Sequence, residues 1–351
     1  MLRSATFRTT WAKCALLLVA GASAALAQDA QSGRTQPLAI AEQGDFYVGG
    51  RVVLSPANSS SGEGDPNAGH VVVDQVYVQY QIPAQRKYRL PLILAHGSWH
   101  TGKTYGSTPD GREGWGTYFV RKGFAIYILD DVNRGRSSYD MTGINLVRLN
   151  LSPTDALPPI SQRTNESAWT TFRMGPEPGV SFPNSQFPGE AADQYFAQLT
   201  DQYRAADQGG KRVAGEVAVF DKVGPAVLFT HSSTGPIGWG AALTRPGVVK
   251  GIVSVEPIGL SAFTAFSALA RVPVLIIRGD FDTPAAVAEA RGFVANLRAA
   301  GGNATFVSLP EAGITGNGHM MMMERNNLLL ADLVIDWIER NVPAVKGGGR
   351  E

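Results

Sequence analysis

The stretch Pro225–Trp239, PAVLFTHSSTGPIGW, passes from an apolar run through a polar turn toward a helix, and its reading decides the fold. A strand–turn–helix elbow that presents a nucleophilic serine needs small residues two places before and two after it, because strand and helix backbones approach closely there. Counted from Ser232 those neighbours are Thr230 and Thr234; counted from Ser233 they are His231 and Gly235. The second register has the glycine but puts an imidazole where room is least, so Ser232 is the preferred nucleophile and Ser233 supplies the backbone N–H that follows it. Taken alone, the string also fits an ordinary Ser/Thr cap on a helix. Its neighbours have to decide.

Around it lie short, nearly continuous apolar runs of the kind expected for buried parallel strands: LPLILAHG, FAIYILDD, KGIVSVEP, VPVLIIRGD and ATFVSLPE. Helical patterns alternate with them, in GWGTYFVRKG, AAVAEARGFVANLRAAG and NNLLLADLVIDWIERNV. This alternation predicts a mostly parallel, doubly wound α/β sheet with helices on both faces. YVGGRVVL and HVVVDQVYVQYQIP alternate polar with apolar residues and read as an antiparallel edge hairpin. Between the fourth and fifth strands the connection, about residues 140–220, is too long for a simple crossover. It carries Trp169, Phe172, Phe182, Phe187, Tyr195 and Phe196 and a helical pattern in AADQYFAQLTDQYRAA, so it reads as a cap inserted over the site.

In such a sheet the reactive groups belong on loops at the carboxyl ends of the strands. AHGSWHTG follows the third strand, THSSTG the fifth, Glu256 the sixth, Asp280 and Asp282 the seventh, and His319 the last. A serine hydroxyl becomes a nucleophile when a base takes its proton, an acid orients that base, and preset N–H groups receive the oxyanion. Of the five histidines, His70 precedes an edge strand, His96 holds the turn after the third strand, His231 points away beside the nucleophile, and His100 is a pocket-wall residue. His319, in a glycine-rich loop and last in the order Ser, acid, His, is the candidate base. Glu256 is the preferred acid, since burial at a strand end needs a partner such as an imidazole N–H; Asp282 is the alternative. HGSWHTG offers the second oxyanion donor, the N–H of Ser98 or alternatively of Trp99. Trp99, His100 and Met320 are the candidate pocket residues.

Gly97–Thr104 also matches the phosphate-loop pattern G-x-x-x-x-G-K-[ST]. That loop has to run straight into a helix, and Gly106, Pro109, Gly111 and Gly114 forbid one here. No cofactor fingerprint and no metal-ligand spacing are present in the sequence, so neither is expected.

Residues 1–27 carry Arg3, Arg8 and Lys13, an apolar run and the pattern Ala25-Leu26-Ala27, the layout of a cleaved secretory signal and too short for a comfortable membrane span. Removing those three basic residues turns the formal charge from +1 to −2, which gives no basic footprint for nucleic acid. The single cysteine, Cys14, lies in the signal, so cysteine catalysis and disulfides are excluded from the mature chain. The expected organisation is a signal at 1–27, a leader at 28–44, one domain at 45–343 and a disordered tail at 344–351. The expected location is periplasmic or secreted, the expected partner is a small-molecule ester, and a homodimer is compatible with the sequence.

With these residues in place, the chain resembles the α/β-hydrolase superfamily, and within it the esterase 713-like bacterial serine esterases. The resemblance rests on HGSWHTGKT, DDVNRGRSS, THSSTGPIGW, VEPIG and GNGHMMMMERNNLLLADLVIDWI, and covers roughly residues 45–343. Those esterases read H-S-Q-S-G or H-S-Q-G-G at the elbow, which aligns Ser232 with their nucleophile, and their acid is a glutamate after the sixth strand, matching Glu256. Some carry two adjacent cysteines where Ser98 and Trp99 stand here. The resemblance implies a serine esterase acting on carboxylic esters, with lactones not separable. Against it stand a hydrolase-fold binding protein that has lost catalysis and the phosphate-loop nucleotide hydrolase.

Overall fold

The computed structural model describes residues 37–56, 68–204 and 207–346. The signal segment and most of the leader lie outside the described residues. No helix among the described residues is long and apolar enough to cross a membrane. Among the described residues there are ten strands: β1 (Ile40–Ser55), β2 (Gly69–Pro83), β3 (Leu92–Ala95), β4 (Ile126–Asp130), β5 (Ile160–Ser161), β6 (Gln202–Tyr203), β7 (Ala226–His231), β8 (Val249–Val255), β9 (Val274–Arg278) and β10 (Ala304–Ser308). Eight form one sheet in the order β1-β2-β4-β3-β7-β8-β9-β10, and β5 and β6 form a separate pair. β1, β2 and β4 are joined antiparallel, whereas β4, β3, β7, β8, β9 and β10 run parallel. The expected doubly wound sheet and its edge hairpin are therefore present.

Every residue of β3 and β7 is buried, which is why these strands read as unbroken apolar runs: a strand covered on both faces has no polar side. The helix Gln208–Val223 packs on β1, β2 and the helix Gly235–Thr244, and Pro284–Ala299 packs on β10. Trp115–Arg121 and Asn327–Asn341 pack together. Pro284 at the first helical position and the Thr283 side chain, which accepts from Ala286 N–H, set the start of its helix.

Four expectations change. β1 begins at Ile40, inside the expected leader, and Glu42 is fixed there by Tyr80 Oη–H at 2.6 Å. Residues 344–346 are not a loose tail: Val345 is buried, its carbonyl accepts from Arg89 N–H at 2.8 Å, and Lys346 reaches Glu339 at 2.9 Å. Among the described residues of the segment AADQYFAQLTDQYRAA, the α-helix covers Ala192–Phe196 alone. Thr200 N–H, which would continue that helix, instead donates to Trp99 O at 2.9 Å, and the chain then pairs extended with β5. Finally, the helix Gln208–Val223 lies within the expected insertion but belongs with the sheet layers. It is weakly legible because Gly209, Gly210 and Gly215 interrupt its pattern.

Candidate active site

β7 delivers the chain into the turn, and Ser232 there has φ 56°, in the left-handed region that a non-glycine residue adopts only under constraint. Ser233 has no positive φ. The glycines expected beside the nucleophile are displaced onto neighbouring segments. Gly238 faces Thr230, where an added Cβ would come within 2.7 Å of Thr230 Cγ2. Gly97, from the turn after β3, lies against the elbow itself: a Cβ there would sit 2.8 Å from His231 Nδ1 and 3.0 Å from Ser232 Cβ. The two threonines are also used. Thr230 Oγ1 meets Ser254 Oγ at 2.6 Å, and Thr234 Oγ1 accepts from His231 N–H at 2.8 Å.

The Gly97–His100 turn is held by two neutral imidazoles. His96 Nε2 accepts from Asp131 N–H at 3.0 Å, so its proton is on Nδ1 and is donated to Gly97 O at 2.8 Å. His100 Nδ1–H donates to Ser98 O at 2.7 Å and Nε2 accepts from Tyr195 Oη–H at 2.9 Å. Burial lowers the His100 pKa to about 3, which keeps the ring neutral. Trp99 has φ 59° and its indole lies 4.0 Å from the Arg163 guanidinium. Trp99, Pro159, Ser161, Gln162, Arg163 and Arg204 line a cavity of about 320 Å³.

His319 is 5% exposed and Ser232 8%, so both are nearly covered. The His319 ring stacks on Phe172 with centroids 5.7 Å apart, and the backbone N–H of His319 donates to Phe172 O at 3.1 Å. Its loop is set from below by two carboxylates: Asp280 accepts from Gly316 N–H at 2.9 Å and Asn317 N–H at 3.3 Å, and Glu324 accepts from Gly318 N–H at 2.6 Å. Burial raises the Glu324 pKa to about 8. His231 does not simply point away: its ring lies under His319, centroids 4.6 Å apart, with Nε2 2.9 Å from His319 O.

Glu256, fully buried and also left-handed at φ 50°, brings Oε2 to 3.6 Å from His319 Nδ1. Its Oε1 accepts from Gly279 N–H at 2.7 Å. Asp282 makes no direct contact with His319; it binds Arg278 at 2.7 Å and Arg173 at 3.5 Å. Arg278 also reaches Glu256 at 3.4 Å. Sequence reasoning missed Arg173, whose Nη2 makes a close ion pair with Glu256 Oε2 and lies 2.9 Å from His319 Nδ1. Nothing in TTFRMG marks that arginine for the site; its place follows from Phe172 and Arg173 docking on the His319 loop. Phe172 and Tyr195 are two of the aromatics that the sequence places in the cap.

The other expected features divide. Met320 is a buried side chain in a run, Met320–Met323, that is at most 1% exposed, which is core packing. The phosphate-loop reading fails, because after the short turn Gly102–Tyr105 the chain enters no helix until Trp115, and Lys103 Nζ donates to Ser107 O at 2.8 Å.

This architecture, an eight-stranded mostly parallel sheet with a strained serine turn after its central strand, defines an α/β-hydrolase. No protein-family model matches the chain. The atomic-resolution structure of a novel bacterial esterase is similar to it with a TM-score of 0.82 and 39% identity, over 88% of this chain and 98% of that one. A probable secreted lipase, phiG, from Fungal sp. (strain ATCC 74256), is 28% identical over 324 residues, 76% of this chain and 86% of that protein. The chain belongs to the esterases of the α/β-hydrolase superfamily and is a carboxylic ester hydrolase.

Proposed function

We propose that the protein is an exported serine esterase that cleaves small to medium apolar or aryl carboxylic esters, or lactones, with Ser232 as nucleophile, His319 as base and Glu256 as orienting acid. The observation that carries this reading is the strained Ser232 at the end of β7, with the Gly97 turn against its Cβ. Glu256 at 3.6 Å from His319 Nδ1 supports the choice of acid over Asp282. In the productive state Glu256 accepts Nδ1–H, leaving a lone pair on Nε2. As Ser232 Oγ attacks the ester carbon, its proton passes to Nε2, and the carbonyl π electrons move to oxygen. The oxyanion is received by the backbone N–H of Ser233 and of Ser98 or Trp99, each such donor lowering the barrier by about 3 kcal/mol. Collapse breaks the bond to the leaving alkoxide, which takes the proton from Nε2. Water then repeats the cycle on the acyl-enzyme and releases the acid.

An apolar acyl or aryl group suits the aromatic side chains around the site, Trp99, Phe172 and Tyr195. Residues 40–346 form the catalytic domain in this reading, with the segment between β4 and the helix Gln208–Val223 acting as its cap. Export rests on the signal pattern at 1–27, and the fungal relative's name, probable secreted lipase, is in keeping with it. The test is labelling with a fluorophosphonate and mapping the adduct by peptide mass spectrometry. Modification of Ser232 together with lost labelling in Ser232→Ala is expected; an adduct on Ser233 overturns the assignment.

A further inference from the structure

Two facts about Arg173 do not fit a passive ion pair. Its Nη2 contacts Glu256 Oε2 and also stands 2.9 Å from His319 Nδ1, while the direct Glu256 to His319 separation is 3.6 Å, too long for a hydrogen bond. A guanidinium only donates. The Nδ1 that faces it therefore accepts, which puts the imidazole proton on Nε2, the nitrogen that has to be bare to take a proton from a serine.

We infer that Arg173 is a positioning residue that latches the site in its inactive tautomer, and that the site becomes active when the guanidinium turns out from between Glu256 and His319. The inference rests on the proposed triad. The released guanidinium has a second partner in place, Asp282 Oδ1, 3.5 Å from Nη1. Glu256 does not become an orphan on release, because Gly279 N–H and Arg278 remain on it. The proton leaves Nε2 to solvent and another enters at Nδ1, where Glu256 then accepts it; no net charge changes hands. The movement is confined to the side chain. The backbone is pinned by His319 N–H to Phe172 O, and Gly318 lies so close to Arg173 O that a Cβ there would approach within 2.5 Å. The Arg173 side chain is 20% exposed, so it has somewhere to turn.

A purely structural arginine and a latch differ in three measurements. In ¹⁵N spectra of the imidazoles, assigned with His319→Gln, the latch requires wild-type His319 to carry its proton on Nε2. In Arg173→Met, which keeps the apolar stem, the proton moves to Nδ1 and kcat on a small soluble aryl ester rises at least threefold. The acid limb of kcat/KM also moves to higher pH, because Arg173 is one of the cations that face His319 together with Arg278, with His100 and His231 beside the ring and Asp282 and Glu256 opposing them. A wild-type ring already protonated on Nδ1 overturns the latch, and this holds even where Arg173→Met does not fold. So does a folded Arg173→Met with kcat unchanged or lower. Fluorophosphonate labelling separates the two levels: an adduct on Ser232 with the wrong tautomer removes the latch alone, whereas no adduct on Ser232 removes the triad and the latch with it.

Discussion

Replacing Glu256 by Gln tests the choice of acid, and the surroundings of that carboxylate set the size of the effect. The amide keeps the shape and can still accept Gly279 N–H through its oxygen, at the 2.7 Å now held by Oε1. What it cannot keep is the negative charge next to His319 Nδ1, Arg278 and Arg173. Loss of the orienting carboxylate in a serine hydrolase lowers kcat about 10⁴-fold, roughly 5.5 kcal/mol of barrier. The same change leaves Asp282 as the one carboxylate shared by the two guanidinium groups, and breaking a buried pair this way costs on the order of 3–5 kcal/mol of stability. A fall in rate could then be mistaken for unfolding. Both quantities have to be measured on the same preparation.

The assay is therefore kcat on a p-nitrophenyl ester, normalised by burst titration of active sites, with thermal unfolding of each variant recorded at the assay pH. Asp282→Asn is the control. It also removes a buried carboxylate from Arg278, at 2.7 Å, and so destabilises comparably, but it touches His319 only through the arginines. Its kcat per active site should fall less than about tenfold. If Asp282→Asn loses as much rate per site as Glu256→Gln, the acid has been misassigned, whatever the two melting temperatures are.

Burial and Arg173 hold the His319 pKa well below its ordinary value of 6.5. A base is competent above its pKa, so kcat/KM should stay level as pH falls through 6.5 and decline only well below it; a limb at or above 6.5 refutes this. Gly97→Ala would press a methyl on His231 and on Ser232 Cβ, and kcat should drop at least tenfold with the global melting temperature little changed; an undiminished kcat would show that the turn gives way. Glu216 is fully buried, neither carboxylate oxygen has a hydrogen-bond partner, and burial raises its pKa well above 4.5. The folded state then holds a proton the unfolded chain has released, so stability falls as pH rises above about 4.5. Glu216→Met should gain about 1–3 kcal/mol over the wild type between pH 4 and pH 8, and a stability difference independent of pH contradicts the reading.

The sheet was legible because burial on both faces makes β3 and the first four residues of β7, Ala226 to Phe229, continuous apolar runs, and alternation with helices then fixes the winding. The serine, histidine and glutamate of the proposed site stand out in the sequence because strand ends are where a doubly wound sheet puts its loops. Their support was not. Gly238 and Gly97 act through space on Thr230 and Ser232, so no local pattern around THSSTG announces that the missing room comes from elsewhere. The helix after the insertion was hidden by its glycines, and the helix expected near Tyr195 was cut short by a carbonyl, Trp99 O, supplied from about a hundred positions away in the chain. Arg173 illustrates the same limit. A single arginine just after the helix Asn165–Thr171 carries no spacing signal, and its contacts exist only once the 172–173 backbone has docked on the histidine loop.

That docking also explains why the charge pattern is arranged as it is. Two carboxylates, Glu256 and Asp282, face two guanidinium groups, Arg173 and Arg278, so the buried cluster is balanced without any contribution from His319. A neutral imidazole is thus the state the cluster favours, in keeping with its lowered pKa. In the proposed mechanism balance has a cost, because the imidazolium formed when Ser232 gives up its proton then meets a net charge near zero. Turning the Arg173 guanidinium from Glu256 toward Asp282 leaves Arg278 as the one cation of the cluster on Glu256 at the moment a positive ring is needed. In the inferred latch, a fixed Arg278 and a partly exposed Arg173 that turns away give the site both conditions: a fully paired core at rest, and, when the ester is attacked, a Glu256 still held by Arg278 and Gly279 N–H with Oε2 open to Nδ1.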